Sequence, residues 1–205
     1  MLERLSVSYA QSKALSWYLR ARVRPPPAAD RTPGYLHPLE GRFLYWLARS
    51  VPPHGTAVEI GSFTGKSSCF LAAGLTAGSH LTCVDTWVND AMPYDQRVDV
   101  MDQVLANTAA YRDRIEPLRG TSVEVAATWD RPIDLLFIDG DHPYAGCAAD
   151  VRAWLPFLRW GGWIAFHDST TPGVRQAIAE HFPQTRTSRS VRIWSILATR
   201  KPIGA

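Results

Sequence analysis

The chain has 205 residues, 46% of them hydrophobic, enough for one globular domain with a substantial core. A formal net charge of +3, with its basic residues dispersed, argues against a dedicated nucleic-acid surface. Three widely spaced cysteines, Cys69, Cys83 and Cys147, form neither a disulfide framework nor a metal-ligand pair and suit a reducing compartment, the cytoplasm. No run is long and apolar enough for stable membrane insertion, and the first residues carry charges that interrupt any secretory signal.

From Met1 to Arg24 the pattern predicts one or two helices, with Leu2, Leu5, Leu15, Tyr18 and Leu19 as apolar contacts. The segment is expected to pack on its own domain or on a second subunit in a homodimer, with contact to a membrane surface as the alternative. Pro25-Pro26-Pro27 breaks it, and the stretch to Gly34 reads as a linker. Residues 1–34 thus form an N-terminal helical segment with a Pro-rich linker, and residues 35–205 carry the main domain. Leu39–Val51 has the spacing of an amphipathic helix. Predicted strands are Ala57–Ile60, His80–Val84, Ile115–Leu118, Ile133–Ile138 and Trp163–His167. Between them helices are expected at Lys66–Leu75, Asp95–Ala110, Ser122–Ala127 and Tyr144–Leu158. A further helix is expected at Pro172–His181, then strands at Arg186–Ser190 and Val191–Thr199. Alternating strands and helices imply an α/β fold: a doubly wound, Rossmann-like, mostly parallel sheet with an antiparallel C-terminal hairpin strand.

The chain is organised around Ala57–Ser68. A buried strand runs into Gly61-Ser62-Phe63-Thr64-Gly65, and a helix opens at Lys66. Such a turn brings bare backbone and unpaired helix N–H groups to a ligand. Gly61-x-x-x-Gly65-Lys66-Ser67 has one residue too few for a phosphate loop, and Phe63 stands where a dinucleotide fingerprint has its second glycine. The remaining readings are a nucleoside cradle and a plain strand-to-helix turn. In an open α/β sheet ligands bind beyond the C-terminal strand ends. Those ends carry Glu59 and Gly61, then Asp85-Thr86-Trp87, then Gly120-Thr121-Ser122, then Asp139-Gly140-Asp141-His142, and last His167-Asp168-Ser169. Carboxylates with imidazoles suit a divalent cation or proton transfer; alternatively they cap helices and turns.

Taken together, Glu59–Ser67, Phe137–His142, Trp160–Ala165 and Glu40–Leu44 resemble, in order and spacing, the class I S-adenosylmethionine (SAM)-dependent methyltransferases. The likeness is greatest to the small metal-dependent O-methyltransferases of the catechol and caffeoyl-CoA type and their bacterial natural-product relatives. It covers about His37 to Thr199. The resemblance implies that Glu59, Gly61, Ser62, Phe63, Gly65 and Ser67 form or support the loop at the methionine end of SAM. It implies that Asp85 binds the ribose, with Thr86 or Trp87 against the adenine and Ser122 near its edge. Asp139 would contact the cofactor side and a Mg²⁺ or Mn²⁺ ion, whose further ligands would be Asp168 and His167. His167 stands where the family has an aspartate. His142 takes the place of the family's lysine base, and together with Asp139 it would be catalytic.

The expected function is O-methylation of a small-molecule hydroxyl, catechol-like or on a sugar or natural product. The alternatives are a SAM-binding protein without transferase activity and a related hydroxylase-type enzyme. Trp87, Met92 and Tyr94 are candidates to face the acceptor, or to pack locally.

Overall fold

The structure is a computed structural model that describes residues 9–88, 97–183 and 190–202. Three helices precede the sheet: α1 (Tyr9–Arg22), α2 (Pro27–Arg31) and α3 (Pro38–Ala48). Then come β1 (Thr56–Ile60), α4 (Lys66–Gly74), β2 (His80–Asp85), α5 (Met101–Thr108), β3 (Ile115–Arg119) and α6 (Ser122–Ala126). The chain continues through β4 (Ile133–Ile138), α7 (Tyr144–Trp154), β5 (Leu158–Phe166), α8 (Pro172–His181), β6 (Ser190–Ile193) and β7 (Ile196–Arg200).

The seven strands lie in the order β3-β2-β1-β4-β5-β7-β6. The pairs from β3 to β5 are parallel; β7 runs antiparallel to both β5 and β6. Both faces are buried, so the central strands are mostly apolar runs rather than alternating. In β4, Leu135 and Phe137 join the core under α3 and α4, while Leu136 and Ile138 join the core under α7 and α8. None of the described helices is long and apolar enough to cross a membrane.

Four expectations change. The helix expected to run to Leu158 stops at Trp154, and the strand expected from Trp163 already begins at Leu158. The segment read as a linker is packed: α2 buries Ala29, and Thr32 Oγ1 donates to Cys69 Sγ on α4 (3.5 Å). Leu19, Val23 and Ala29 belong to the same apolar cluster as Phe43 and Phe70. The helix expected from Asp95 begins at Met101, because the described residues before it are held otherwise: Val100 N–H donates to Trp87 O (2.9 Å) and Asp99 Oδ1 accepts from Met101 N–H (2.9 Å). Finally, the strand expected over Val191–Thr199 is itself the hairpin. It reverses at Trp194-Ser195, with Trp194 at φ 54 in the left-handed region. Apart from Ser190, the strand expected at Arg186–Ser190 falls outside the described residues, as do Leu2, Leu5, Met92 and Tyr94.

α3 starts on a capping box. His37 Nδ1 accepts from Leu39 N–H (3.2 Å), and Glu40 Oε2 accepts from His37 N–H (3.0 Å). This aims Glu40 inward, under the ends of β4 and β5, where the functional cluster stands.

Candidate active site

The strand order reverses between β1 and β4, so their loops leave toward opposite faces and open a crevice. A cleft of about 600 Å³ fills it. Gly61 sets its floor. Its φ is 81, its N–H donates to Val84 O (2.9 Å), and a Cβ there would lie 2.3 Å from Asp139 O. Any side chain would force the ends of β1 and β4 apart. Gly65, at φ 85, is the left-handed N-cap of α4.

Asp85, at the end of β2, holds the turn. Oδ2 accepts from Phe63 N–H (2.8 Å) and Oδ1 from Trp87 N–H (2.7 Å). Both recipients have positive φ, 46 and 53, which costs a non-glycine residue about 1–2 kcal/mol each. One carboxylate thus secures two strained residues while still lining the cleft. A triphosphate would be ill-served here, since a carboxylate already holds the Phe63 N–H at the middle of the turn.

Glu59 lies beneath the turn, fully buried, and does not line the cleft. Ser68 Oγ and Cys83 Sγ donate to its Oε2, whereas Oε1 is buried without a partner. Burial pushes its carboxyl up to about 7. Trp87 also differs from expectation. It is 0% exposed, and its Nε1–H donates to Ser62 Oγ (3.1 Å), so its ring braces the turn from below rather than facing a base. Gly65 likewise stands back from the cleft, while Ser62, Phe63, Ser67, Thr86 and Ser122 line it. The aromatic residue at the cleft wall that was not anticipated is Tyr35, 85% exposed and stacked on Phe63 with ring centroids 5.9 Å apart.

At the other end, β4 and β5 deliver Asp139, His142, His167 and Asp168 together, as their positions in the sequence suggested. His167 is clamped. Its Nε2 lies 3.4 Å from Glu40 Oε2, and its Nδ1 lies 3.2 Å from Asp139 Oδ1 and 3.3 Å from Asp168 Oδ2. Burial alone would lower its pKa; the hydrogen bonds and charges of Asp139 and Glu40 outweigh it and carry the imidazole up to about 11. A carboxylate faces each ring nitrogen, an arrangement that favours the protonated imidazole. Glu40, whose side chain is 2% exposed, also accepts from Ser195 N–H (2.9 Å) and Oγ–H (2.6 Å). Burial raises its carboxyl, but these bonds and the imidazolium take it below the ordinary value. Asp139 is raised by burial, against the opposing pull of His167.

The atoms that could share a metal belong instead to Asp139, His142 and Asp168, one from each, all within 4.8 Å of one another. His142 Nε2 lies 3.1 Å from Asp168 Oδ2. Asp168 itself sits at φ 44, in a turn closed by Thr171 N–H and Oγ–H on its carbonyl (both 2.8 Å).

Residues 58–169, more than half of the chain, match the methyltransferase domain family. The chain belongs to that family. A curated relative, the uncharacterized protein y4gI of Sinorhizobium fredii, is 31% identical over 133 residues, which are 63% of this chain. The chain spans about 14% of that relative's length. Two solved structures share the methyltransferase fold over nearly their whole length. A Corynebacterium glutamicum protein has TM-score 0.69 and 18% identity, covering 94% of this chain and 98% of that one. An O-methyltransferase from Bacillus cereus, in complex with S-adenosylhomocysteine, has TM-score 0.63 and 18% identity, covering 94% and 99%.

Besides Tyr35, two residues of the site are not evident from the sequence. Glu40 carries no role there, although His-Pro-x-Glu is a readable capping signal. Asp150 was not singled out, although Gly146, Ala149 and Asp150 fall at i, i+3 and i+4 on one face of α7 and line the cleft.

Proposed function

We propose that the chain binds SAM and transfers its methyl group to a hydroxyl of a small molecule. The observation that carries this reading is the meeting, in one cleft, of the Gly61 turn with the Asp139–His142–Asp168 cluster. The turn brings bare backbone and the start of α4 to a nucleoside-type ligand, and Asp85 beside it offers a carboxylate to ribose hydroxyls. The S-adenosylhomocysteine bound by the Bacillus cereus protein of the same fold agrees with this.

SAM supplies an electrophilic methyl on a sulfonium, displaced in line by the acceptor oxygen. The chain must then bring the hydroxyl to the cluster end and take its proton. His142 is suited to that: its side chain is about half exposed at the cleft, and Asp168 lies 3.1 Å from Nε2. A neutral imidazole whose Nε2–H donates to Asp168 accepts the proton at Nδ1, and the Asp168 carboxylate stabilises the resulting imidazolium. Asp139, His167 and Glu40 keep the carboxylates of this end fixed.

A divalent cation also fits the donor set. Asp139 and Asp168 offer hard oxygens, and His142 an imidazole. With His167 charged, Glu40, Asp139 and Asp168 leave two negative charges, which one such ion offsets. Held by these three residues, Mg²⁺ or Mn²⁺ would lower the acceptor's pKa. A neutral His142 imidazole has one lone pair, which cannot both ligate a cation and take the proton, so the two roles exclude each other.

Calorimetry with SAM, S-adenosylhomocysteine and ATP tests the cofactor: micromolar binding of the first two and none of ATP is expected. Turnover on a panel of catechols and glycosides, with and without EDTA, tests the reaction. Full activity in EDTA assigns His142 to the proton. Binding without turnover on any acceptor favours a SAM-binding protein that is not a transferase.

A further inference from the structure

The β6–β7 hairpin carries polar groups that nothing answers. Among the described residues five buried side-chain polar atoms lack a hydrogen-bond partner, and three of them lie on this hairpin: Ser190 Oγ, Arg192 Nη2 and Thr199 Oγ1. They share one face of the sheet. Ser190 and Arg192 are two positions apart on β6, and Thr199 stands directly opposite Ser190 on β7. Leu197, opposite Arg192, joins the core under α7 and α8, so this face is the one that α8 covers. None of these residues lines the cleft.

Each of the three groups can donate a hydrogen bond. A buried donor without an acceptor costs free energy, so three on one patch call for an acceptor. Charge points the same way. Arg192 feels another guanidinium, that of Arg175 on α8. Burial first, and then this neighbour, lower the Arg192 guanidinium from its ordinary value. Neither arginine has an ion-pair partner among the described residues. Like charges are thus held near each other with no carboxylate to offset them. Arg175 is exposed and Arg192 half-buried, so the patch is open to water on the arginine side, while Ser190 and Thr199 are fully buried.

A water would satisfy some of these donors and leave the repulsion in place. A carboxylate would offset one guanidinium. A phosphate dianion offsets both, and its several oxygens suit guanidinium forks and hydroxyls together. We propose that Arg175 and Arg192, with the hydroxyls of Ser190 and Thr199, bind a phosphate-type dianion between α8 and the hairpin, apart from the methyltransferase site. Bound there, it ties β6 to α8 and steadies the hairpin that brings Ser195 to Glu40.

The test is thermal unfolding of the full chain near neutral pH in inorganic phosphate, in sulfate, and in sodium chloride of matched ionic strength. Phosphate and sulfate should raise the midpoint by about 4 °C or more at saturation, and chloride by much less. Calorimetry should find one phosphate per chain. The phosphate effect should persist in saturating S-adenosylhomocysteine; its loss there would put the ion in the cleft and overturn the proposal. Arg192→Gln and Arg175→Gln should each weaken phosphate binding at least about 10-fold. Arg175 is exposed, so its variant serves if Arg192→Gln fails to fold. Glycerol 3-phosphate separates the sources: binding as tight as that of phosphate supports a site for phosphate esters, and much weaker binding supports one for the free ion. A phosphate effect no larger than that of chloride, or one kept in full by folded Arg175→Gln, overturns the proposal.

Discussion

Replacing Glu59 by glutamine should change how the protein's stability depends on pH. Glu59 is fully buried beneath the Gly61 turn, with one oxygen unpartnered, and its carboxyl is raised from 4.5 to about 7. A raised acid holds its proton more tightly when folded than when unfolded. Its contribution is therefore most favourable below pH 4.5 and is lost as pH climbs through about 7. Each pKa unit is worth about 1.4 kcal/mol, so between pH 5 and pH 8 the penalty grows by about 2.5 kcal/mol. Glutamine cannot ionise. It also puts an amide where Oε1 has no partner, an offset that does not vary with pH. The informative quantity is thus the stability difference between glutamine variant and wild type, measured by urea unfolding at pH 5, 6, 7 and 8. That difference should move toward the variant by about 2.5 kcal/mol across the range. A change below about 0.5 kcal/mol would mean that Glu59 titrates normally in the folded protein, and that the account of its burial is wrong.

Gly61→Ala should lose at least 10-fold in S-adenosylhomocysteine affinity and destabilise the fold by more than about 2 kcal/mol, because strain at φ 81 adds to contact with Asp139 O; calorimetry and thermal unfolding read both. His167→Asn should cost about 3–5 kcal/mol at pH 7, the typical result of removing one partner from a buried charged pair. The wild type should keep the His167 contribution in full below about pH 6.5 and lose it as pH rises through about 11, visible as alkaline unfolding. His142→Ala should lower turnover by roughly 10²–10⁴-fold while leaving S-adenosylhomocysteine affinity unchanged. A folded variant at near-normal rate removes His142 from the proton transfer.

The sheet was legible because its strands are short apolar runs that stop at Gly, Asp or His. β4 was read to the residue, and the ends of β4 and β5 pointed to the cluster before any geometry was known. The reversal at Trp194-Ser195 was not legible. It has no Gly, Pro, Asn or Asp, only the weaker turn former Ser195, and it is secured by Glu40, which lies 155 positions from Ser195 in the chain. The late start of α5 was hidden for the same kind of reason, since Val100 answers to Trp87 O rather than to a helix. Histidine at position 167 suggested a ligand by type. Only the placement of Glu40 on its far side makes it a cation. The resemblance sets Thr86 or Trp87 against the base; Trp87, at positive φ, has its ring fully buried, whereas Thr86 lines the cleft.

The bond from Ser195 to Glu40 has a consequence for the order in which the molecule matures. Glu40 belongs to an early helix, whereas its two strongest donors arrive on a hairpin 155 residues later. Until that hairpin docks, Glu40 has His167 but not the serine, and His167 in turn lacks a fixed counter-charge behind it. The Gly61–Gly65 turn, by contrast, is held by parts of the chain that end at α5: Pro33 O accepts from Thr64 Oγ–H, and Asn107 Nδ2–H donates to Thr64 O. A growing chain should thus form that turn well before its charged end is complete, which waits for the final hairpin to close over Glu40.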